Sequence, residues 1–162
     1  RRGETLARMG ARGAGAAVRG VNAYLARHVP ITQAMGIRLR SFGADGVTMT
    51  APLAPNINDK GIAFGGTLAS ILALSGWALE TADVLIAAAA IEYRAPVAGR
   101  IVARCPLPPR EEIEAFLGAY RVRRRARLKL EAFIDTRGGQ AALFHGTYLA
   151  RPPARGPLQS PL

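Results

Sequence analysis

Cysteine is nearly absent from the 162-residue chain, which has only Cys105. A single thiol excludes an internal disulfide framework and suits a reducing compartment, so a cytoplasmic setting is expected. Isolated in an apolar stretch, Cys105 reads as a packed thiol rather than a nucleophile. Histidine is almost as scarce. His28 and His145 lack the partner spacing of a metal site or a catalytic triad, and neither a metal nor a redox cofactor is implied. Acidic residues are few, 11 against 22 Lys and Arg, for a net charge of +11. The excess is peripheral: residues 1–40 hold eight Arg and only Glu4, while residues 41–103 hold three basic and five acidic residues. A second basic cluster, Arg121, Arg123, Arg124, Arg125, Arg127 and Lys129, reads either as a solvated surface or as an attractor of phosphate, nucleic acid or an acidic carrier protein. No aromatic residues interleave it and no nucleic-acid motif is present, so nucleic acid is not the expected partner.

What is present is enough for a core. Apolar residues make up 49% of a length that suits one domain. Residues 1–21 are rich in Arg and Ala, the composition of a transit peptide, and are expected to be a leader or linker. Residues 22–151 are the expected folded domain, and residues 152–162 a proline-rich flexible tail. Residues 62–79 carry no charge, an 18-residue run at the lower limit for a membrane span. Its glycines, serines and threonine and its lack of flanking aromatic belts favour a buried central helix, with no membrane partner.

Periodicity gives the order of elements. "VNAYLARHV" reads as a short helix closed by Pro30. "IRLRSF" and "VTMTAPL" alternate around "GADG" as a hairpin, with Ile37, Leu39, Val47, Met49, Ala51 and Leu53 on one face. A helix is expected over residues 66–81, with its small residues Ala69, Ala73 and Gly76 against a sheet and Leu68, Ile71, Leu72 and Leu79 on the other side. "VLIAAAAIEYRAPV" and "RIVARCPL" read as strands separated by a turn at "APVAG", "PREEIEAFLGAY" as a short helix or covered connection, and "RARLKLEAFID" and "QAALFHGTYLA" as a long hairpin around "TRGG". An α+β fold follows, with one antiparallel sheet curled around the central helix. Its exposed edges make a homodimer or dimer of dimers the expected assembly.

The stretch ahead of that helix, "NINDKGIAFGGTLAS", concentrates polar groups and glycines. Asn58, Gly61, Gly65 and Gly66 with their spacing resemble the pattern N-x-x-G-x-x-H-G-G that opens the central helix of hotdog-fold acyl-CoA thioesterases. The longer string through Leu68, with "SGWAL" and "RAPV", is similar to a thioesterase family known as the C-terminal domain of YiiD-type acetyltransferase fusions. The resemblance spans about residues 22–151. It implies a hotdog fold and hydrolysis of an acyl thioester of coenzyme A or an acyl carrier protein. The carbonyl oxygen would meet the backbone amides of Gly66 and Thr67, and Asn58 would hold substrate or water. Asn56, Gly61, Phe64 and Gly65 would line the substrate; Arg94 would pair with Glu92 on one strand face or instead meet the phosphates of coenzyme A, and Arg125, with Arg123 and Arg127, would suit either phosphate or an acidic surface. Helix-start amides can stabilise the charge that develops on an attacked carbonyl. The same glycines would also suit a tight turn packed on the sheet.

Two departures from the pattern matter. Phe64 occupies the histidine position, and Ala73, nine residues on, occupies the position where many hotdog thioesterases carry a carboxylate. Asp59 is then the candidate base, with Glu80 and Asp83 as alternatives. Loss of both usual side chains leaves a second reading open, an acyl-thioester binding module without catalysis. Ser70 and Ser75 are expected to bond to helix carbonyls, and Trp77 to pack.

Overall fold

The computed structural model describes residues 11–79 and 84–152. Helix α1 (Ala11–His28) leads through the one-turn α2 (Ile31–Ala34) into the hairpin β1 (Arg38–Gly43) and β2 (Gly46–Ala51). The central helix α3 (Gly65–Ala78) follows, then β3 (Val84–Tyr93), β4 (Ile101–Cys105), α4 (Arg110–Arg123), β5 (Ala126–Thr136) and β6 (Gly139–Ala150). All six strands form one antiparallel sheet in the order β1-β2-β4-β5-β6-β3. Expected sheet and central helix are both present. The expected boundary at residue 22 falls inside α1, which begins at Ala11. Of the three alternative bases only Asp59 is described; Glu80, Asp83 and the expected helix end at residue 81 lie outside the described residues, as do residues 1–10 and 153–162.

Alternation accounts for the sheet's inner face. Ala126, Leu128, Leu130, Ala132 and Ile134 of β5 are buried while Arg127, Lys129, Glu131 and Asp135 are exposed. Ile37, Leu39, Val47, Met49 and Ala51 are buried as the hairpin pattern predicts, and a bulge between Leu39 and Ser41 turns Phe42 inward as well. Against this face lies α3, buried through Leu68, Ile71, Leu72, Ser75, Gly76 and Ala78. The small-residue stripe is split: Gly76 faces the sheet, but Ala69 and Ala73 are only half-buried, on the side with Ser70, Leu74 and Trp77. Gly76 is required where it is. The fully buried Tyr148 crosses it to donate its hydroxyl to the Ala73 carbonyl at 2.8 Å, and a Cβ on residue 76 would collide with that ring. Ser70 and Ser75 donate to the carbonyls of Gly66 and Ile71, as expected.

The β3–β4 connection is not a hairpin turn. β3 pairs only with β6 at one end of the sheet, whereas β4 lies between β2 and β5, so residues 94–100 cross the end of the sheet. Proline and glycine in "APVAG" signal a change of direction but not its span. Val97 is buried in this crossover and accepts from the Ala63 N–H at 2.8 Å, which ties it to the loop that precedes α3.

The two outer strands are finished differently. At β1, the Asn22 side chain of α1 donates to the Leu39 carbonyl at 3.0 Å and accepts from the Leu39 N–H at 2.9 Å, substituting for a neighbouring strand. β3 has no such cover among the described residues: nine of its ten residues are half-buried or exposed, among them Leu85 at 47% and Ile86 at 45%. No helix of the described residues is long and apolar enough to cross a membrane. α3 has 14 residues, about 21 Å at the helical rise, against an apolar bilayer thickness near 30 Å.

Candidate active site

The chain reaches α3 through a closed loop. Ile57 and Ala63 form an isolated antiparallel bridge, and within it the Asn58 side-chain oxygen accepts from the Lys60 N–H at 2.8 Å and the Ile62 N–H at 3.3 Å. Gly61 supplies the left-handed conformation at the tip, with φ of 72°. The Asn58 side-chain oxygen therefore shapes the loop, and its side-chain nitrogen has no acceptor among the described residues. Asp59 is exposed and pairs with Lys60 at 2.6 Å.

Asn56 lies inside the fold, 3% exposed. Its side-chain nitrogen donates to the carbonyls of Met35 at 2.8 Å and Pro52 at 2.7 Å, and its side-chain oxygen accepts from the Thr67 hydroxyl at 3.2 Å. Its backbone oxygen accepts from the Phe64 N–H at 2.8 Å. Asn56 and Thr67 thus lock the loop onto the first turn of α3, and neither side chain faces solvent.

Helix N-termini leave their first amides without intrahelical acceptors, and a Ser, Thr, Asp or Asn cap commonly takes one of them. Here the N-cap is Phe64, whose side chain cannot cap. Thr67 N–H nevertheless bonds to the Phe64 carbonyl at 2.9 Å, so the two amides without an acceptor among the described residues are Gly65 and Gly66, one residue earlier than the expected pair. Both glycines are flanked by aromatic rings. A Cβ on Gly66 would collide with the Phe64 ring, and one on Gly65 would meet the Tyr93 ring at 3.4 Å. Tyr93 also donates its hydroxyl to the Gly65 carbonyl at 2.9 Å, and both rings are 55% exposed. Tyr93 was not among the sequence-predicted residues; an aromatic ending an apolar strand just before the Pro-Gly crossover was its signal.

Arg94 follows Tyr93 and pairs with Glu92 at 2.7 Å and with Gln140. Arg125 lies elsewhere. Through β6, Tyr93 is in register with Ala142 and Val84 with Ala150, beside Ala126 of β5, so Arg125, one residue beyond Ala126, stands nine strand positions from the helix start. That is about 30 Å along the sheet. Ala73, at the carboxylate position of the resemblance, is half-buried on the free side of α3. A separate cavity of about 600 Å³ lies between Pro106, Pro109, Glu112, Lys129, Glu131 and His145, away from the glycines. Among the described residues no three His, Cys, Asp or Glu side chains converge as metal ligands.

An antiparallel sheet wrapped on one central helix, in this strand order, is the hotdog fold, and solved structures agree. A protein of unknown function from Chlorobaculum tepidum is 31% identical, with a TM-score of 0.79 over 83% of this chain and 94% of that one. A structure described as a putative thioesterase from Shewanella oneidensis is 26% identical, with a TM-score of 0.75 over 85% and 99%. The PaaI protein of E. coli shares the fold at 16% identity, with a TM-score of 0.58 over 85% and 94%. Residues 18–152 match the family described as "Putative thioesterase (yiiD_Cterm)", and the chain belongs to that family.

Proposed function

We propose that the protein hydrolyses acyl thioesters carried by coenzyme A or an acyl carrier protein, polarising the thioester carbonyl with the Gly65 and Gly66 amides. The observation that carries this reading is the pair of N–H groups without acceptors at an uncapped helix start, in a chain of the thioesterase family. Water attacks the carbonyl carbon, negative charge gathers on the oxygen, and collapse of the tetrahedral intermediate expels the thiol and leaves a carboxylic acid. The helix end offers about half a positive charge to that oxygen. One such donor is worth about 3 kcal/mol of transition-state stabilisation. Asn58 contributes through its amide nitrogen, the part of the side chain that the loop does not use. Asp59 is the base that takes the proton from water. Thr67 acts through Asn56, by fixing the first helical turn. Arg94 is the cation nearest along the chain to the Tyr93 end and suits a phosphate of the carrier.

The assembly in this reading is a dimer across β3. With β1 closed by Asn22, β3 is the edge left for a second copy. A second reading is favoured by Phe64 and Ala73, hydrocarbon side chains at both positions where the resemblance expects a catalytic group: an acyl-thioester binding module.

The deciding experiment is release of free thiol from short, medium and long acyl-CoA substrates by wild type, Gly66→Val and Asn58→Asp. Hydrolysis by wild type that falls more than tenfold in Gly66→Val supports the amide site. Asn58→Asp keeps the loop's acceptor but replaces the donor, so a loss there assigns the amide nitrogen to substrate or water. Wild-type rates in both variants would overturn the site. Saturable binding of the same thioesters without thiol release would replace hydrolysis with the binding module.

A further inference from the structure

The structure assigns the end of α4 and the start of β5 as a docking surface for an acidic protein, which we infer to be the carrier that presents the acyl thioester. Arg121, Arg123, Arg124, Arg125, Arg127 and Lys129 are all exposed, and none has a carboxylate partner among the described residues. The contrast within the molecule is sharp. Lys60, Arg94, Arg104 and Arg110 are paired with Asp59, Glu92, Asp135 and Glu114.

Helix electrostatics accounts for part of this cluster. Glu111 and Glu112 in the first turn of α4 and Arg121 and Arg123 in its last complement the helix dipole. It does not account for the cations beyond the helix. Arg124 turns the chain in a left-handed conformation, φ 54°, with its guanidinium 5.0 Å from the Tyr120 ring centroid. Arg127 and Lys129 then continue the positive charge along β5, opposite the neutral Leu149 and Thr147 of β6.

Within this positive field Val122 is 83% exposed, the most exposed of the large apolar side chains among the described residues. An exposed apolar side chain between Arg121 and Arg123, cations without a carboxylate partner among the described residues, fits a protein surface better than a lone nucleotide or a nucleic-acid backbone. Protein interfaces bury apolar centres within polar rims, and charge complementarity there speeds encounter and selects partners.

The location links this surface to the proposed reaction, and in this respect it rests on that reading. Within one copy the cluster and the glycine pair lie at opposite ends of the sheet. If two copies pair antiparallel along β3, the second copy's cluster comes to the end that holds Gly65 and Gly66. Three strand spacings then separate its β5 from this copy's β3, about 14 Å. A carrier docked there would reach the amides of the opposite copy through its thioester arm.

The test uses an acyl-loaded acyl carrier protein as probe, with binding measured by titration calorimetry on wild type, Arg121→Glu/Arg123→Glu/Arg127→Glu and Val122→Ala, alongside thiol release from that carrier and from acyl-CoA. The charge-reversed variant should bind the carrier at least tenfold more weakly and Val122→Ala severalfold more weakly, with the ratio of carrier to acyl-CoA turnover falling in parallel. Unchanged carrier binding in both variants overturns the surface. So does duplex DNA that binds as tightly as the carrier and ignores Val122→Ala, because the cluster would then be a general polyanion attractor. Hydrolysis of acyl-CoA without carrier binding removes the docking surface and keeps the proposed reaction; carrier binding without thiol release does the reverse.

Discussion

The Tyr93 hydroxyl donates to the Gly65 carbonyl at 2.9 Å, joining the last residue of the open edge strand to the first residue of the central helix. A strand that depends on one side for its pairing is thereby held to the element that carries the candidate site. The bond is exposed, so its contribution to stability is small. Tyr93→Phe keeps the ring against Gly65 and removes only the hydroxyl, and should cost about 0.5–1 kcal/mol, measured as a lower urea midpoint with an unchanged slope. If Tyr93 also positions the helix start for a thioester, the kcat for thiol release will fall by more than this stability loss explains, with KM nearly constant.

Asn56 behaves as a structural bracket. Its side chain satisfies the Met35 and Pro52 carbonyls and the Thr67 hydroxyl from a buried position. Asn56→Ala strands those groups together, and each buried polar group left unpaired costs about 1–3 kcal/mol. A total loss of about 3 kcal/mol is expected by chemical denaturation. Asn58→Ala, whose loop is at the surface, should lose less stability and more turnover, so the two asparagines separate when stability and thiol release are plotted together.

Much of this was legible in the sequence because burial on one face leaves a period that can be counted. The strands of both hairpins and the central helix carry such a signal, whereas the Asn58-to-Gly66 loop has no period and is legible through its resemblance to a family motif. The free amides fell one residue early because Thr67 N–H already reaches Phe64, a detail of the first helical turn with no trace in residue type. Spatial order was harder to read. The "APVAG" punctuation is the same for a tight turn and for a crossover, and only the pairing of β3 with β6 separates Arg94 from Arg125. Asn22 illustrates the same limit: an asparagine in a helix gives no sign that it will close the edge of a strand 17 residues away.

The Gly76–Tyr148 crossing allows no substitution without rearrangement. A Cβ on residue 76 would approach Tyr148 Cε2 to 2.8 Å, with the hydroxyl nearer still, and Tyr148 is fully buried and bonded to Ala73. Gly76→Ala should therefore destabilise by about 2–3 kcal/mol despite alanine's better helix propensity, as overpacking outweighs the gain. Gly20, an exposed position of α1 with open space around its Cβ position, is the control: Gly20→Ala should be neutral or stabilising in the same denaturation assay.

The two ends of the sheet make opposite predictions about assembly. At β1, Asn22 already occupies the N–H and C=O of Leu39, so loss of that side chain should lower stability by about 1–2 kcal/mol without improving self-association. At β3, exposed Leu85 and Ile86 and the run of alanines that follows, with a bulge between Ile86 and Ala88, offer an apolar strand with one side unpaired among the described residues, the kind of edge that proteins cover or pair. Sedimentation analysis of the wild type should give a dimer at micromolar concentration. Ala88→Lys/Ala89→Lys places two charges per copy at the middle of β3, where an antiparallel partner sets its own two opposite them, and like charges facing each other across strands repel. The variant should sediment as a monomer, with its circular dichroism preserved if the sheet tolerates the charges. A monomeric wild type, or a charged variant that remains dimeric, would exclude β3 as the joining edge and detach the second copy's basic cluster from the glycine pair.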